Sequence, residues 1–173
     1  MEKEINRKIA VVFVTDVVGF STSMEIDENQ TLQNFRICKK ILENLFSEHG
    51  GRIFNTAGDS ILAEFSSAVS AVICASEFQK LIHERNSSQS LPINGKMEFR
   101  VGLNMGDVIV EGENLYGEGV NVASRLEALA QPNGVSLSKS IYDFVNKKTD
   151  FLFDDLGEQK IKNTSVHAFD IVT

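Results

Sequence analysis

Three stretches predict that this chain folds as an α+β protein. Ile9-Ala10-Val11-Val12-Phe13-Val14-Thr15 is apolar on both faces, which marks a covered central strand. Met97, Phe99, Val101, Leu103 and Met105 alternate with Glu98, Arg100, Gly102, Asn104 and Gly106, the period of a strand with one polar face. Between them, Leu32 to Phe46 and Ala68 to Ile82 carry apolar residues at helical spacing.

Taken in order, the first strand ends at Asp16. Asp27 and Gln30 then have capping-box spacing, and the helix that follows buries Leu32, Phe35, Cys38, Leu42, Leu45 and Phe46. Gly50-Gly51 ends it. Arg52 to Asn55 and Ile61 to Phe65 read as two short strands, and Thr56-Ala57-Gly58-Asp59-Ser60 is a tight hairpin connection. Ser66 or Ser67 caps a second helix whose core positions are Ala68, Ala71, Val72, Ala75, Phe78 and Ile82. A polar loop, 86–90, precedes the alternating strand. This β-α-β-β-α-β order is the split arrangement of ferredoxin-like folds.

A C-terminal α/β extension completes the fold. Val108-Ile109-Val110 forms a further β segment, and a third helix runs from about Glu118 to Ala130. Pro132-Asn133-Gly134 turns the chain into Val135-Ser136-Leu137. A short helix over Ile141 to Val145 and strands over Phe151 to Asp154 and Val166 to Ile171 follow.

Size and composition narrow the function. The 173 residues, 42% hydrophobic and 24% charged, predict one globular domain over 1–173 with its core at about 8–172. A net charge of −7 argues against nucleic acid as a partner, because phosphate backbones select basic surfaces. It leaves room for a small phosphorylated ligand whose charge is met by bound metal ions. Cys38 and Cys74 fall on apolar helix faces and read as reduced core thiols. No stretch reaches membrane-spanning length, and Met1-Glu2-Lys3-Glu4 lacks the apolar core of a signal peptide, so a cytoplasmic location is expected.

Three constellations are candidates for chemistry. Asp16, at the end of the central strand, and Asp59, in the hairpin turn, are brought to one edge of a ferredoxin-like sheet. Two carboxylates placed together repel unless a cation lies between them, and oxygen ligation suits Mg²⁺ or Mn²⁺. Turn capping is the ordinary alternative for either aspartate. Asn121 and Arg125, four apart on the third helix, project from one face while Val122, Leu126 and Leu129 turn to the core. An amide beside a guanidinium reads a sugar and a phosphate, although a solvated helix face presents the same pair. Lys160 and Lys162, two apart on an extended segment, share a face near a loop able to hold a polyphosphate. A charged edge strand explains them equally well.

Val14-Thr15-Asp16-Val17-Val18-Gly19-Phe20-Ser21, Ala57-Gly58-Asp59, Tyr116 to Glu127 and Leu156 to Asn163 together resemble the bacterial branch of the class III nucleotidyl cyclase catalytic domain. The resemblance runs from about Lys8 to Val172. It implies a homodimer with active sites shared between chains, and a nucleoside triphosphate as substrate. Asp16 and Asp59 would hold two divalent ions, Mg²⁺ or Mn²⁺, with the Val17 backbone contributing and Gly19-Phe20-Ser21 cradling phosphate. From the partner chain, Asn121 would orient the ribose and Arg125 would neutralise charge at the α-phosphate. Lys162 matches the family's polyphosphate-binding lysine, with a shorter turn after it. The implied reaction is adenylate cyclase chemistry, ATP to 3′,5′-cyclic AMP and pyrophosphate.

Departures from the family pattern leave the base open. Adenylate-forming members carry Lys and Asp at the positions matching Asn55 and Asn114, and guanylate-forming members carry Glu and Cys. A carboxamide donates or accepts according to which way it is turned, so Asn55 and Asn114 need not reject either purine. Weaker discrimination between ATP and GTP is therefore expected, with a guanylate or dual-specificity cyclase as the near alternative. Asp107 stands where some relatives carry Arg, removing part of their phosphate grip. Two readings of other kinds are a silent nucleotide-binding domain that dimerises for regulation and a polymerase-type transferase. The retained Asp16, Asp59, Asn121 and Arg125 argue against the first, and the spacing of the last two against the second.

Overall fold

The computed structural model describes residues 5–88, 91 and 95–173. The expectation about Met1 to Glu4 and the end of the polar loop before the alternating strand lie outside them. A mixed sheet orders its strands β2-β3-β1-β4-β6-β8-β7, with β5 paired to β4. β1 (Asn6–Val17) is central, antiparallel to β3 (Ser60–Phe65) and to β4 (Phe99–Glu111). The first four strands of that order are what a βαββαβ core produces.

Local sequence sets the elements around it. α2 (Glu28–His49) starts at Asp27, whose side chain accepts the Gln30 N–H, and ends at Gly50, which adopts φ +78°. α3 (Ala68–Asn86) starts at Ser67, whose hydroxyl accepts the Ser70 N–H. Both helices, with α5 (Lys139–Val145), cover one face of the sheet, where Phe13, Phe46, Phe65, Phe78 and Phe99 share a single core. The edge-to-face contact of Phe13 with Phe46 at 5.2 Å joins β1 to α2. Cys38 and Cys74 lie inside this core as free thiols, and burial pushes them up to about 11 and about 12.

α4 (Glu118–Leu129) covers the other face, over Ala10, Val12, Val14 and Val108. This second cover corrects the alternation read in β4. Gly102 and Asn104, expected on a polar face, are buried because α4 lies on them, and Asn104 donates to the Gly119 carbonyl at 2.9 Å. β4 also runs on through Val108-Ile109-Val110 as one strand. The chain returns at Gly112 into β5 (Asn114–Tyr116), three residues too short to show a period. On α4, Val122 and Leu126 pack on β8 (Thr164–Ile171), whereas Leu129 is only half-buried.

Other boundaries move as well. α1 (Phe20–Ile26) is a helix where the sequence alone predicts a loop, because seven residues, none of them fully buried, are too few to show an apolar stripe. β6 (Val135–Ser138) is parallel to β4. β7 (Phe153–Ile161) begins two residues after Phe151 and carries the Leu156 to Lys160 segment as strand. Lys162 sits at φ +55° in the turn between β7 and β8, so it does not share a strand face with Lys160. No helix among the described residues is long and apolar enough to cross a membrane.

Candidate active site

β1 and the β2–β3 hairpin build the acid pair. β2 (Gly51–Ala57) pairs with β3 so that Ala57 faces Ser60, which leaves Gly58 and Asp59 as the turn. Gly58 takes φ +60°, the left-handed region in which a side chain is strained. Thr15 pairs with Ile61, so the end of β1 arrives beside that turn. There the Val17 N–H donates to Asp59 Oδ2 at 2.8 Å. The backbone at Val17, one residue after Asp16, thus holds Asp59 at the same edge of the sheet.

Glu127 is the residue that sequence reasoning did not assign. It lies on α4 in the sheet-facing row Val120-Ala123-Glu127, is 7% exposed, and its carboxyl hydrogen-bonds Asp16. Among the described residues, Asp16 Oδ1 and Glu127 Oε1 are two buried side-chain oxygens without a hydrogen-bond partner. The readable signal was a glutamate in a row of small apolar residues. Gly102 brings it so close. A Cβ there would lie 2.2 Å from the Glu127 nitrogen and 2.4 Å from the Ala123 carbonyl oxygen. Arg100, opposite Asp16 on β4, anchors the end of α4 by donating to the Ala130 carbonyl at 2.9 Å.

Burial pushes the Glu127 carboxyl up to about 9, with the Asp16 hydrogen bond and the charges of Asp16 and Asp59 adding and Arg100 offsetting. The folded protein therefore holds a proton that the unfolded chain releases above its ordinary 4.5. Between those values the folded state binds more protons, so stability falls as pH rises through that window. The expected result is a melting temperature of the chelator-treated protein that declines towards about pH 9, and a flatter profile for Glu127→Gln.

Oxygen donors without thiol or imidazole suit a hard divalent cation. Asp16 and Asp59 supply adjacent carboxylates, one of them with an orphaned buried oxygen, and so fit such an ion. Among the described residues no group of three or more His, Cys, Asp and Glu forms a fuller cage. Gly19, at φ +65°, caps α1, so the N–H groups of Phe20 and Ser21 belong to a first helical turn without intrahelical acceptors.

Asn121 and Arg125 lie on another side of α4. Asn121 is exposed, and Arg125 is half-buried with Nη1 donating to Thr164 Oγ1 at the start of β8. Lys162 is exposed in the same hairpin, two residues before Thr164. Asn55 lies on β2 just beyond a register shift, and Asn114 opens β5. Arg52 Nη1 donates to the Glu113 carbonyl at 2.7 Å, which ties these two strands together. Asp107 pairs with Arg7 at 2.8 Å.

Sheet order and helix placement define a mixed α+β domain with a ferredoxin-like core. Comparison with known proteins makes that class specific. Residues 1–172 match the family described as the adenylate and guanylate cyclase catalytic domain, and the chain belongs to that family. It is 44% identical over 165 residues to "Putative adenylate cyclase 3" of Rhizobium meliloti (strain 1021), covering 94% of this chain and 28% of that protein. Its fold is similar to that of an adenylate/guanylate cyclase/hydrolase from Silicibacter pomeroyi (TM-score 0.89, 29% identity, 98% of this chain and 99% of that one). The adenylyl cyclase CyaB from P. aeruginosa has the same fold at TM-score 0.83 and 21% identity, over 99% of this chain and 97% of that one.

Proposed function

We propose that two copies of this chain pair and convert ATP to 3′,5′-cyclic AMP and pyrophosphate. One observation carries the reading. α4 turns Glu127 towards Asp16, while Arg125 lies about 200° further round the same helix. Asn121 shares the Arg125 side, so one copy presents its acids and its amide–guanidinium pair in different directions. A second copy supplies the half that the first turns away, and the nucleotide lies between them.

Within that site the residues divide the work. The Val17 N–H and the Glu127 hydrogen bond hold the two acids in place. Mg²⁺ or Mn²⁺, two ions held by Asp16, Asp59 and the Val17 backbone, would lower the pKa of the ribose 3′-hydroxyl and neutralise phosphate charge when bound. Backbone N–H groups over Gly19, Phe20 and Ser21 are placed for a phosphate. From the other copy, Asn121 orients the ribose and Arg125 stabilises charge on the α-phosphate, exchanging its Thr164 contact for phosphate oxygens. Lys162, in the adjacent turn, holds the departing polyphosphate. The 3′-oxygen attacks the α-phosphorus in line, the bond to the bridging oxygen breaks, and pyrophosphate leaves.

Incubation of the purified protein with Mn²⁺ and ATP, with the product identified by mass, tests this. Cyclic AMP is expected, and its absence at every protein concentration would overturn the reading. The name of the 44%-identical relative and the retained Asp16, Asp59, Asn121 and Arg125 support it.

A further inference from the structure

Asn55 and Asn114 are the positions that the cyclase reading gives to the purine, and the side chain of each is hydrogen-bonded to its own backbone. The Thr56 N–H donates to Asn55 Oδ1 at 2.9 Å, and the Leu115 N–H donates to Asn114 Oδ1 at 2.8 Å. A backbone N–H only donates, so each contact identifies which end of the carboxamide is oxygen. Asn114 is held a second time, its Nδ2 donating to Tyr116 Oη at 3.0 Å. Both side chains turn their oxygen to their own backbone and leave the NH₂ end facing away from it.

We propose that Asn55 and Asn114 form a donor–donor frame, so that this site takes GTP as well as ATP, with affinities within about threefold of each other. The inference rests on the cyclase reading above and widens its substrate class. Adenine presents an acceptor at N1 and a donor amine. Guanine presents a donor at N1 and an acceptor at O6. Against a donor at each position, adenine is matched at N1 and mismatched at its amine, while guanine is matched at O6 and mismatched at N1. The mismatches are of one kind, donor against donor, and neither base is favoured.

A frame of this kind prefers a purine that neither nucleotide provides. 6-Methoxypurine carries acceptors at N1 and at the 6-oxygen, and satisfies both donors. Carboxamides free to turn would give it no advantage, since they would already match adenine and guanine.

Equilibrium binding with Mn²⁺, using the 3′-deoxy triphosphates of adenosine, guanosine and 6-methoxypurine riboside, reads this without turnover. The adenosine and guanosine forms are expected within about threefold, and the 6-methoxy form about tenfold tighter than either. Tyr116→Phe removes one of the two contacts that hold the Asn114 amide and shrinks that advantage. Asn114→Asp turns the frame into donor–acceptor and favours the adenosine form by about tenfold, and Asn55→Asp favours the guanosine form by a similar factor. A hundredfold wild-type preference for one natural base, or a 6-methoxy form no tighter than the adenosine form, overturns the frame. The expected binding pattern, together with no cyclic product when ATP and GTP themselves are supplied, upholds the frame and overturns cyclisation alone. Binding of none of the three overturns both.

Discussion

Asp59→Ala and Arg125→Ala each lose cyclic nucleotide formation when purified alone, and an equimolar mixture of the two recovers it. The geometry behind this is local to α4. Arg125 points to Thr164, away from the acid pair that Glu127 touches from the same helix. A dimer with two shared sites therefore places each chain's acids in one site and its Arg125 in the other. In a mixed dimer both lesions fall in the same site and the other site is whole. Random exchange makes half of the dimers mixed, each with one working site, so the mixture reaches about a quarter of the wild-type rate. Loss in each single variant is about a hundredfold or more, the usual effect of removing a charge-stabilising group from a transition state. Rates measured after incubation, with subunit exchange followed by an affinity tag, check the result. Exchange without recovery would mean that each chain holds a complete site.

Gly102→Ala is expected to destabilise the fold more than any other single methyl addition in the sheet. The added Cβ would lie 2.2 Å from the Glu127 nitrogen, 2.4 Å from the Ala123 carbonyl oxygen and 2.7 Å from Glu127 Cα. All three are backbone atoms of α4, so no side chain can yield, and the helix must lift from β4. Overpacking of this kind costs about 3 kcal/mol, and the tail of such effects is longer where backbone is struck. Lifting α4 also withdraws Glu127 from Asp16 and shifts Asn121 and Arg125. Activity should therefore fall even at temperatures where the variant is folded. Urea unfolding and turnover on the same preparation measure both effects. Gly112→Ala is the comparison, since a Cβ there meets nothing within 4 Å and only its φ of +61° is strained. It should cost about 1 kcal/mol and leave turnover near wild type.

Much of the fold was legible because local chemistry and tertiary packing agree. Asp27, Gly50 and Ser67 cap their helices with contacts that their own neighbours provide. Six successive buried residues from Ala10 to Thr15 confirm a strand covered on both faces. Legibility failed where a distant element changed the environment. Gly102 and Asn104 alternate as though one face of β4 met water, but α4 arrives from later in the chain and buries them. α1 and β5 are not legible because segments of seven and three residues are too short to establish a period. Lys162 reads as strand because nothing in Ile161-Lys162-Asn163 announces a positive φ.

For the site, the sequence by itself determined the chemical inventory: a carboxylate at a strand end and another in a hairpin turn, an amide and a guanidinium four residues apart, and carboxamides at Asn55 and Asn114. Residue type and short-range spacing carry that much. Only the tertiary structure decided that Asp59 is clamped by Val17, that a buried glutamate lies against Asp16, and which end of Asn55 and Asn114 faces out. Each of these depends on which backbone N–H or carboxyl comes within about 3 Å, and a hydrogen bond is too short-ranged to be read from a one-dimensional pattern.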